Sequence, residues 1–392
     1  MVPNDVINRA TAEITDRLIQ IRRTIHQHPE LAFEETATAE LVVRILTDLG
    51  ALQRTGVGRT GVVGLIQGAA PGRTVAVRAD MDALPIQEDT GLPYASTAAG
   101  KMHACGHDVH TAILLGVAMV LARQRDRLAG QVKLIFQPAE ETLAGAAAMV
   151  ADGVLEGPTA DVVLGYHNWP LLEAGAVGYH PGVSFASSDA FDVTVTGTSG
   201  HAAHPHLAVD AITATAHFVT QLQTIVSREV APVKPAVVTI GRINGGTARN
   251  IFPESVRLEG TVRAHDEVTR AAIEQAMRRM LEGLRTGMRT AYALDFRRGV
   301  PVLRNHAETI ARVLASARAI VGSERVVELP EGSMGSEDFA YFSERTPAAY
   351  LRLGSKVEGR PSMIHRADFI PDEQVIPTGV RVVSRAVLDL LQ

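Results

Sequence analysis

The residues best suited to chemistry crowd into GKMHACGHDVH, positions 100–110. His103, His107, His110 and the only cysteine of the chain, Cys105, fall within eight consecutive positions. An even scatter of the chain's 14 histidines would leave about 0.3 of one in such a window. Thiolate and imidazole are ligands that borderline divalent ions favour, and Cys-x-His sets two such donors close together. The plainer reading is a polar turn around a buried, inert thiol, since free cysteine packs as a small hydrophobe. The stretch alone does not separate the two.

The remaining ionisable residues do. Asp80 and Asp82 follow the apolar run TVAVRA (74–79), Glu140 and Glu141 follow QVKLIF (131–136), and His167 closes DVVLGYH (161–167). Such runs read as strands, and ligands bind at the C-terminal edge of the strands in an open α/β sheet. Several ionisable groups on that edge, beside the Cys/His cluster, favour a metal site. Neighbours in an extended segment point to opposite sides, so one of Glu140 and Glu141 can bind a metal while the other faces a substrate as general base. With Glu141 as ligand, Cys105, His107, Glu141, His167 and the distant His365 make five donors. That exceeds what one tetrahedral zinc requires and suits a two-metal site. A second histidine-rich stretch, GTSGHAAHPH (197–206), has no acid or thiol nearby, so His201 suits a developing oxyanion better than a metal. GGTARNIFP (245–253) is a Gly-rich loop without dinucleotide or phosphate-loop spacing, and its Asn250 offers both a donor and an acceptor.

These groups need a scaffold. Apolar periodicity predicts helices over about 5–28, 35–49, 108–128 and 142–152, interleaved with strands at 62–66, 74–79, 131–136 and 161–167. That alternation implies an α/β domain around a mixed, largely parallel sheet with helices on both faces. From about 185 the pattern changes to strand 191–197, helix 209–230, strands 236–243 and 255–264, helix 267–289 and strand 291–296. The order β-α-β-β-α-β is ferredoxin-like, so a compact α+β domain is expected to be inserted into the first. A helix at 308–320, a strand at 348–354 and a last helix from about 372 resume the α/β pattern. The expected boundaries are 1–183 and 298–392 for the two parts of the catalytic domain and 184–297 for the insertion.

A length of 392 residues suits two domains. The net charge of −5 argues against nucleic acid or an anionic membrane as partner. The longest apolar stretch, 112–122, falls short of the roughly 20 residues of a membrane span. A single cysteine excludes an intrachain disulfide framework and, with no apolar leader at the start, points to the cytoplasm.

In this order, RADMDALPIQE, GKMHACGHDVHTA, FQPAEE, GYHNWP, GHAAHPH, GGTARNIFP, MGSEDF and IHRADF resemble the M20 metallopeptidase family. The nearest branch is its amidohydrolases: hippurate hydrolases, N-acyl-amino-acid amidohydrolases and indole-acetyl-amino-acid hydrolases. The resemblance runs from about Arg22 to the final helix. It implies a dinuclear metal amidohydrolase whose inserted domain serves as lid and dimerisation surface. Cys105, His107, Glu141, His167 and His365 match the family's ligand positions, and Glu140 its general base. His201 matches the lid histidine that in relatives reaches the partner subunit's site and stabilises the oxyanion, and Asn250 the lid asparagine that helps hold substrate. The implied cofactors are two divalent ions, Mn2+, Zn2+ or Co2+, and the implied assembly is a homodimer or a tetramer.

The implied substrate is a small N-acyl, N-aroyl or indole-acetyl amino acid. Dipeptidase or carboxypeptidase-type cleavage and N-acetyl-diaminopimelate-like deacetylation are alternatives on the same site. GTSGH in place of Gly-x-Gly-Gly-His and RNIFP in place of Asn-x-Ile-Pro depart from the family pattern, the second adding Phe252. Two rival readings remain. A cysteine hydrolase with Cys105 as nucleophile would be active without metal, and a non-catalytic binding protein would be expected to have lost Glu140 or a ligand.

Overall fold

The computed structural model describes residues 2–360 and 363–392. In chain order the elements are α1 (Asn4–Gln27), α2 (Thr36–Asp48), β1 (Leu52–Val57), β2 (Gly61–Gln67), β3 (Ala70–Asp80), α3 (His107–Ala122), β4 (Ala129–Gln137), α4 (Gly145–Ala151), β5 (Val162–Glu173) and β6 (Val177–Tyr179). There follow β7 (Val183–Phe185), β8 (Asp189–Thr196), β9 (Gly200–His201), α5 (Ala211–Thr224), β10 (Ala236–Gly245), β11 (Ile251–Phe252), β12 (Ser255–Ala264), α6 (Glu267–Met288) and β13 (Ala291–Arg297). The last are β14 (Leu303–Arg304), α7 (Ala307–Val321), β15 (Val326–Glu328), α8 (Ala340–Ser343), β16 (Ala348–Lys356) and α9 (Val375–Leu390). They fall into two units: Met1–Ser184 with Arg304–Glu331 and Asp338–Gln392, and Phe185–Leu303 with Gly332–Glu337.

The first unit is built on an eight-stranded mixed sheet in the order β1-β2-β4-β3-β5-β16-β6-β15. Its centre, β4-β3-β5-β16, is parallel, while β1–β2, β2–β4 and β16–β6 are antiparallel. Alternate residues explain why the sheet is covered on both faces. Val75, Val77 and Ala79 of β3, with Val132, Leu134 and Phe136 of β4, join the main core. The residues between them, among them Ala76, Arg78, Lys133 and Ile135, are buried as well. A strand buried on both faces belongs to a helix-covered parallel sheet. Every residue of α3 is buried, and α3 packs against α1 and α9. A Cβ at Gly116 would lie 2.5 Å from Val380 Cγ2 and 2.7 Å from Leu18 Cδ1, so those helices meet where only glycine leaves room.

Several boundaries differ from expectation for local reasons. Helix α3 stops at Ala122 instead of about 128, where the charged residues after Arg123 leave the core. Helix α4 starts at Gly145 instead of 142, because residues 140–143 form a turn. Strand β5 does not close at His167 but runs on to Glu173. Strand β1 has no apolar alternation to reveal it, since most of it is exposed and it is held by pairing with β2.

The second unit has a four-stranded antiparallel sheet in the order β10-β12-β8-β13. Phe191, Val193 and Val195 of β8 alternate inward and meet Phe218 and Leu222 of α5 and Ile273, Met277 and Leu281 of α6. Both helices start on a capping aspartate: Asp210 accepts from Thr213 N and Asp266 from Thr269 N. A separate two-stranded ladder pairs β9 with β11. Among the described residues no helix is long and apolar enough to cross a membrane.

Candidate metal centre

The turn ahead of α3 begins the site. Gly106 has φ 87°, and a Cβ there would fall 2.2 Å from Asn168 Nδ2, so both conformation and space require glycine. Asn168, on β5, donates from Nδ2 to Cys105 O (2.6 Å) and from its backbone N to His110 Nε2 (2.8 Å). The turn is thereby fixed to the strand that carries His167.

Register does the rest. Leu164 of β5 pairs with Val77 of β3, and Asp80 of β3 pairs with Gln137 of β4. His167 and Asp80 each lie three positions beyond the first pair, and the 138–143 turn begins just past the second. Cys105 Sγ is 3.2 Å from His167 Nε2, and His365 Nε2 is 3.4 Å from Glu141 Oε1. His365 N donates to Ala104 O at 2.7 Å, holding the late loop against the turn. Donor atoms lie within 4.8 Å of one another in three overlapping sets: Cys105, His107 and His167; Cys105, Glu141 and His365; His107, Glu140 and Glu141. All five expected ligands and Glu140 are therefore brought together. One expectation about the glutamates is corrected: residues 140 and 141 sit in a turn, not an extended segment, and both carboxylates face His107.

The donor set fits a divalent cation. His107 Nδ1 donates to Asp82 Oδ1 (3.1 Å), which leaves Nε2 as the free ligand atom. Among the described residues His107 Nε2 and Glu141 Oε1 are buried and make no hydrogen bond; they lie 3.9 Å apart, with His365 Nε2 3.4 Å from the same Glu141 oxygen. Two imidazoles and a carboxylate that converge beside a thiol without hydrogen bonding to one another mark a place for a positive charge. Burial works against charge on His107, yet Asp80, Asp82 and Glu141 hold its pKa up at about 10, a proton standing where a metal would. Burial and the carboxylates of Glu141 and Glu140 push the Cys105 thiol well above its ordinary range. A bound cation reverses that tendency, since a ligating thiol loses its proton. Burial and His110 keep His167 well below its ordinary value, in the neutral form a ligand needs.

In the second unit, Ile251 pairs with His201 and Ala202 N donates to Asn250 O at 3.0 Å. The short β9–β11 ladder thus sets His201 and Asn250 side by side. Ala203 N donates to His201 Nδ1 at 3.1 Å, so the neutral ring carries its hydrogen on Nε2, an exposed donor.

A family model for peptidase family M20/M25/M40 matches residues 76–389. The chain belongs to this family. An N-acetyl-L-cysteine deacetylase of Bacillus subtilis is 40% identical over 370 residues, covering 94% of this chain and 87% of that protein. Thermostable carboxypeptidase 1 of Saccharolobus solfataricus is 38% identical over 376 residues, covering 94% and 93%. The crystal structure of a Bacillus subtilis dinuclear metal binding peptidase of family M20 superposes with a TM-score of 0.86 at 35% identity, covering 97% of this chain and 99% of that one.

Around the candidate ligands this M20 hydrolase also carries Asp80 and His110, which the sequence already places beside the site, and partners such as Arg78, Asp338 and Asp108 to which the sequence assigns no role. Burial works against ionisation of Asp80, but Arg78, His107 and His110 hold its carboxyl well below the usual range. Arg78 Nη1 and His110 Nδ1 both donate to it, at 2.7 and 2.6 Å. Arg78 Nη2 also donates to Asp338 Oδ1 (2.9 Å), and Asp338 N donates to Glu140 Oε1 (3.4 Å). In the first turn of α3, the buried Asp108 takes Arg22 at 2.7 Å and His26 at 2.9 Å. One signal was available: Arg78 interrupts an apolar strand, and Arg22 and His26 lie on the apolar stripe of α1, where a polar group must find a partner. His103 differs from all of these. Among the described residues neither of its ring nitrogens has a hydrogen-bond partner, and burial lowers its pKa to about 4.

Proposed function

We propose that the chain hydrolyses the amide between an acyl group and the α-nitrogen of an amino acid, releasing a carboxylic acid and a free amino acid. Cys105, His107, Glu141, His167 and His365 would hold two divalent ions, Mn2+, Zn2+ or Co2+, which when bound polarise the amide carbonyl and acidify water. Glu140 takes the proton of the attacking water and returns it to the departing amine. His201 donates from Nε2 to the developing oxyanion, and Asn250 beside it holds the substrate. The segment 184–297 acts as a ferredoxin-like lid and joins two copies in a homodimer, and the enzyme works in the cytoplasm. The β-α-β-β-α-β order of the second unit supports the lid reading.

The observation that carries the proposal is the convergence of buried ligand atoms that make no hydrogen bond among the described residues, His107 Nε2 and Glu141 Oε1, with the Glu140 carboxylate in the same group. The deacetylase relative supports an N-acyl amino acid as substrate, and the carboxypeptidase relative supports a peptide as the alternative. Two experiments decide. Glu140→Gln, loaded with wild-type metal, is expected to lose at least about 10²-fold in kcat; near-wild-type turnover would overturn the base assignment. A hydrolysis screen over N-acetyl, N-benzoyl and indole-acetyl amino acids and dipeptides, with metal restored after chelation, is expected to favour the N-acyl compounds. A preference for dipeptides would transfer the site to peptidase chemistry, and full activity without metal would favour Cys105 as nucleophile.

A further inference from the structure

Glu35 is fully buried, and the mechanism above gives it no task. It stands at the entry to α2, yet its side chain does not cap that helix. Glu30 does so instead, accepting from Ala37 N and Thr38 N, both at 2.9 Å, and from Thr36 Oγ1 at 3.1 Å. The Glu35 carboxylate turns elsewhere. Its Oε1 accepts from Phe33 N (3.0 Å) and Ala139 N (2.8 Å), and its Oε2 from Thr60 Oγ1 (2.5 Å). Three segments distant in sequence meet on this one group.

Ala139 is the residue before Glu140. It holds φ 53°, a left-handed conformation that costs an L-residue with a Cβ about 1–2 kcal/mol. Its carbonyl accepts from Gly145 N at 3.1 Å, which closes the turn. On the far side of Glu140, Glu141 N donates to Asp82 Oδ2 at 2.9 Å. Glu140 therefore sits between two backbone amides, each held by a buried carboxylate. The amide before it is locked in a conformation that alanine does not adopt unaided. We infer that Glu35 is a positioning residue for Glu140, fixing Ala139 in its left-handed state and so setting the direction of the general base.

The inference rests on the reading of Glu140 as base, and the test separates the two. A misplacement of about 1 Å at a reacting group costs about 10²-fold. Glu35→Ala is accordingly expected to lower kcat about 10- to 100-fold, with KM within about threefold and metal content equal to wild type. Glu35→Gln should retain most of kcat, because its amide oxygen still accepts from Ala139 N. The decisive variant is Glu35→Ala with Ala139→Gly. Glycine enters the left-handed region without steric cost, so the double variant should recover at least about threefold of the kcat lost by Glu35→Ala alone. If Glu35→Ala is insoluble, Thr60→Val, which frees Oε2 alone, should lower kcat about two- to fivefold and be relieved by Ala139→Gly.

Three outcomes overturn the inference: a lower thermal midpoint with unchanged kcat, activity lost in proportion to metal, or no relief by glycine at 139. Wild-type turnover in Glu140→Gln would instead remove the base reading, whatever Glu35→Ala does.

Discussion

Positions 103–110 and 201–206 each carry three histidines, in opposite surroundings. In the first stretch His103, His107 and His110 are buried, and the rings of His107 and His110 are oriented by Asp82, Asp80 and Asn168. In the second, His201, His204 and His206 are all exposed, and the bond given to an imidazole is the backbone one from Ala203 to His201. Histidine density is nearly equal, so density does not separate a ligand from a solvent-facing donor. What differs is the surroundings: the first three rings are buried and the second three are exposed. The first stretch is finished by its own unit, which supplies carboxylate, amide and strand. The second presents a ring that its own unit only orients and leaves exposed.

The largest effect that tests this contrast is His107→Ala. It removes a proposed ligand and leaves Asp80 and Asp82 buried without it, so turnover should fall by at least about 10³-fold and stability by about 3–5 kcal/mol. Metal analysis and thermal unfolding read both, and a folded, metal-replete, active variant would break the comparison. Next is His201→Ala, expected to lower kcat about 10²- to 10³-fold with stability within about 0.5 kcal/mol of wild type. A loss of stability comparable to that of His107→Ala would show that exposure is a poor guide to what the ring does. Smaller again is His110→Ala. Its ring supports Asp80 and Asn168 without joining the sets that hold Cys105, so metal affinity should weaken about 10- to 100-fold. Turnover at saturating metal should largely return, and an unchanged metal titration would remove His110 from the support.

The same contrast explains what the sequence could and could not disclose. The candidate donors were legible because their types are chemically distinctive and because two of them, Glu141 and His167, follow or end clear apolar runs. His365 was named as a fifth donor by residue type alone, with no partner near it in sequence, and the family motif is what raised it above an ordinary loop histidine. Supports were not legible because their pairings cross the sheet order: Arg78 meets Asp338 across 260 positions, and Glu35 meets Ala139 across 104. Nothing in local periodicity states which strands will be neighbours. The left-handed state of Ala139 was hidden for another reason, since glycine is the usual residue there and an alanine does not announce it. The α/β core was legible because residues such as Val75, Val77 and Ala79 recur with period two between helical stretches. Strand β1, lying exposed at an edge, has no such pattern.

The smallest effect belongs to His204 and His206. Their rings follow one another along the exposed turn, His201 to His204 tilted at 5.6 Å and His204 to His206 edge-on at 6.2 Å between centroids. The turn itself is a backbone construction: His204 N donates to His201 O at 2.8 Å and Leu207 N to His204 O at 3.0 Å. Replacing both imidazoles by alanine leaves those bonds and the β9–β11 ladder in place. The double variant His204→Ala with His206→Ala is expected to keep kcat within about twofold and stability within about 0.5 kcal/mol. Steady-state kinetics and a thermal melt are enough to check it. A loss as large as that of His201→Ala would mean that the three exposed rings work as one group. Crowding of histidines would then carry function without burial to fix them, and the contrast between the two stretches would have to be drawn on other grounds.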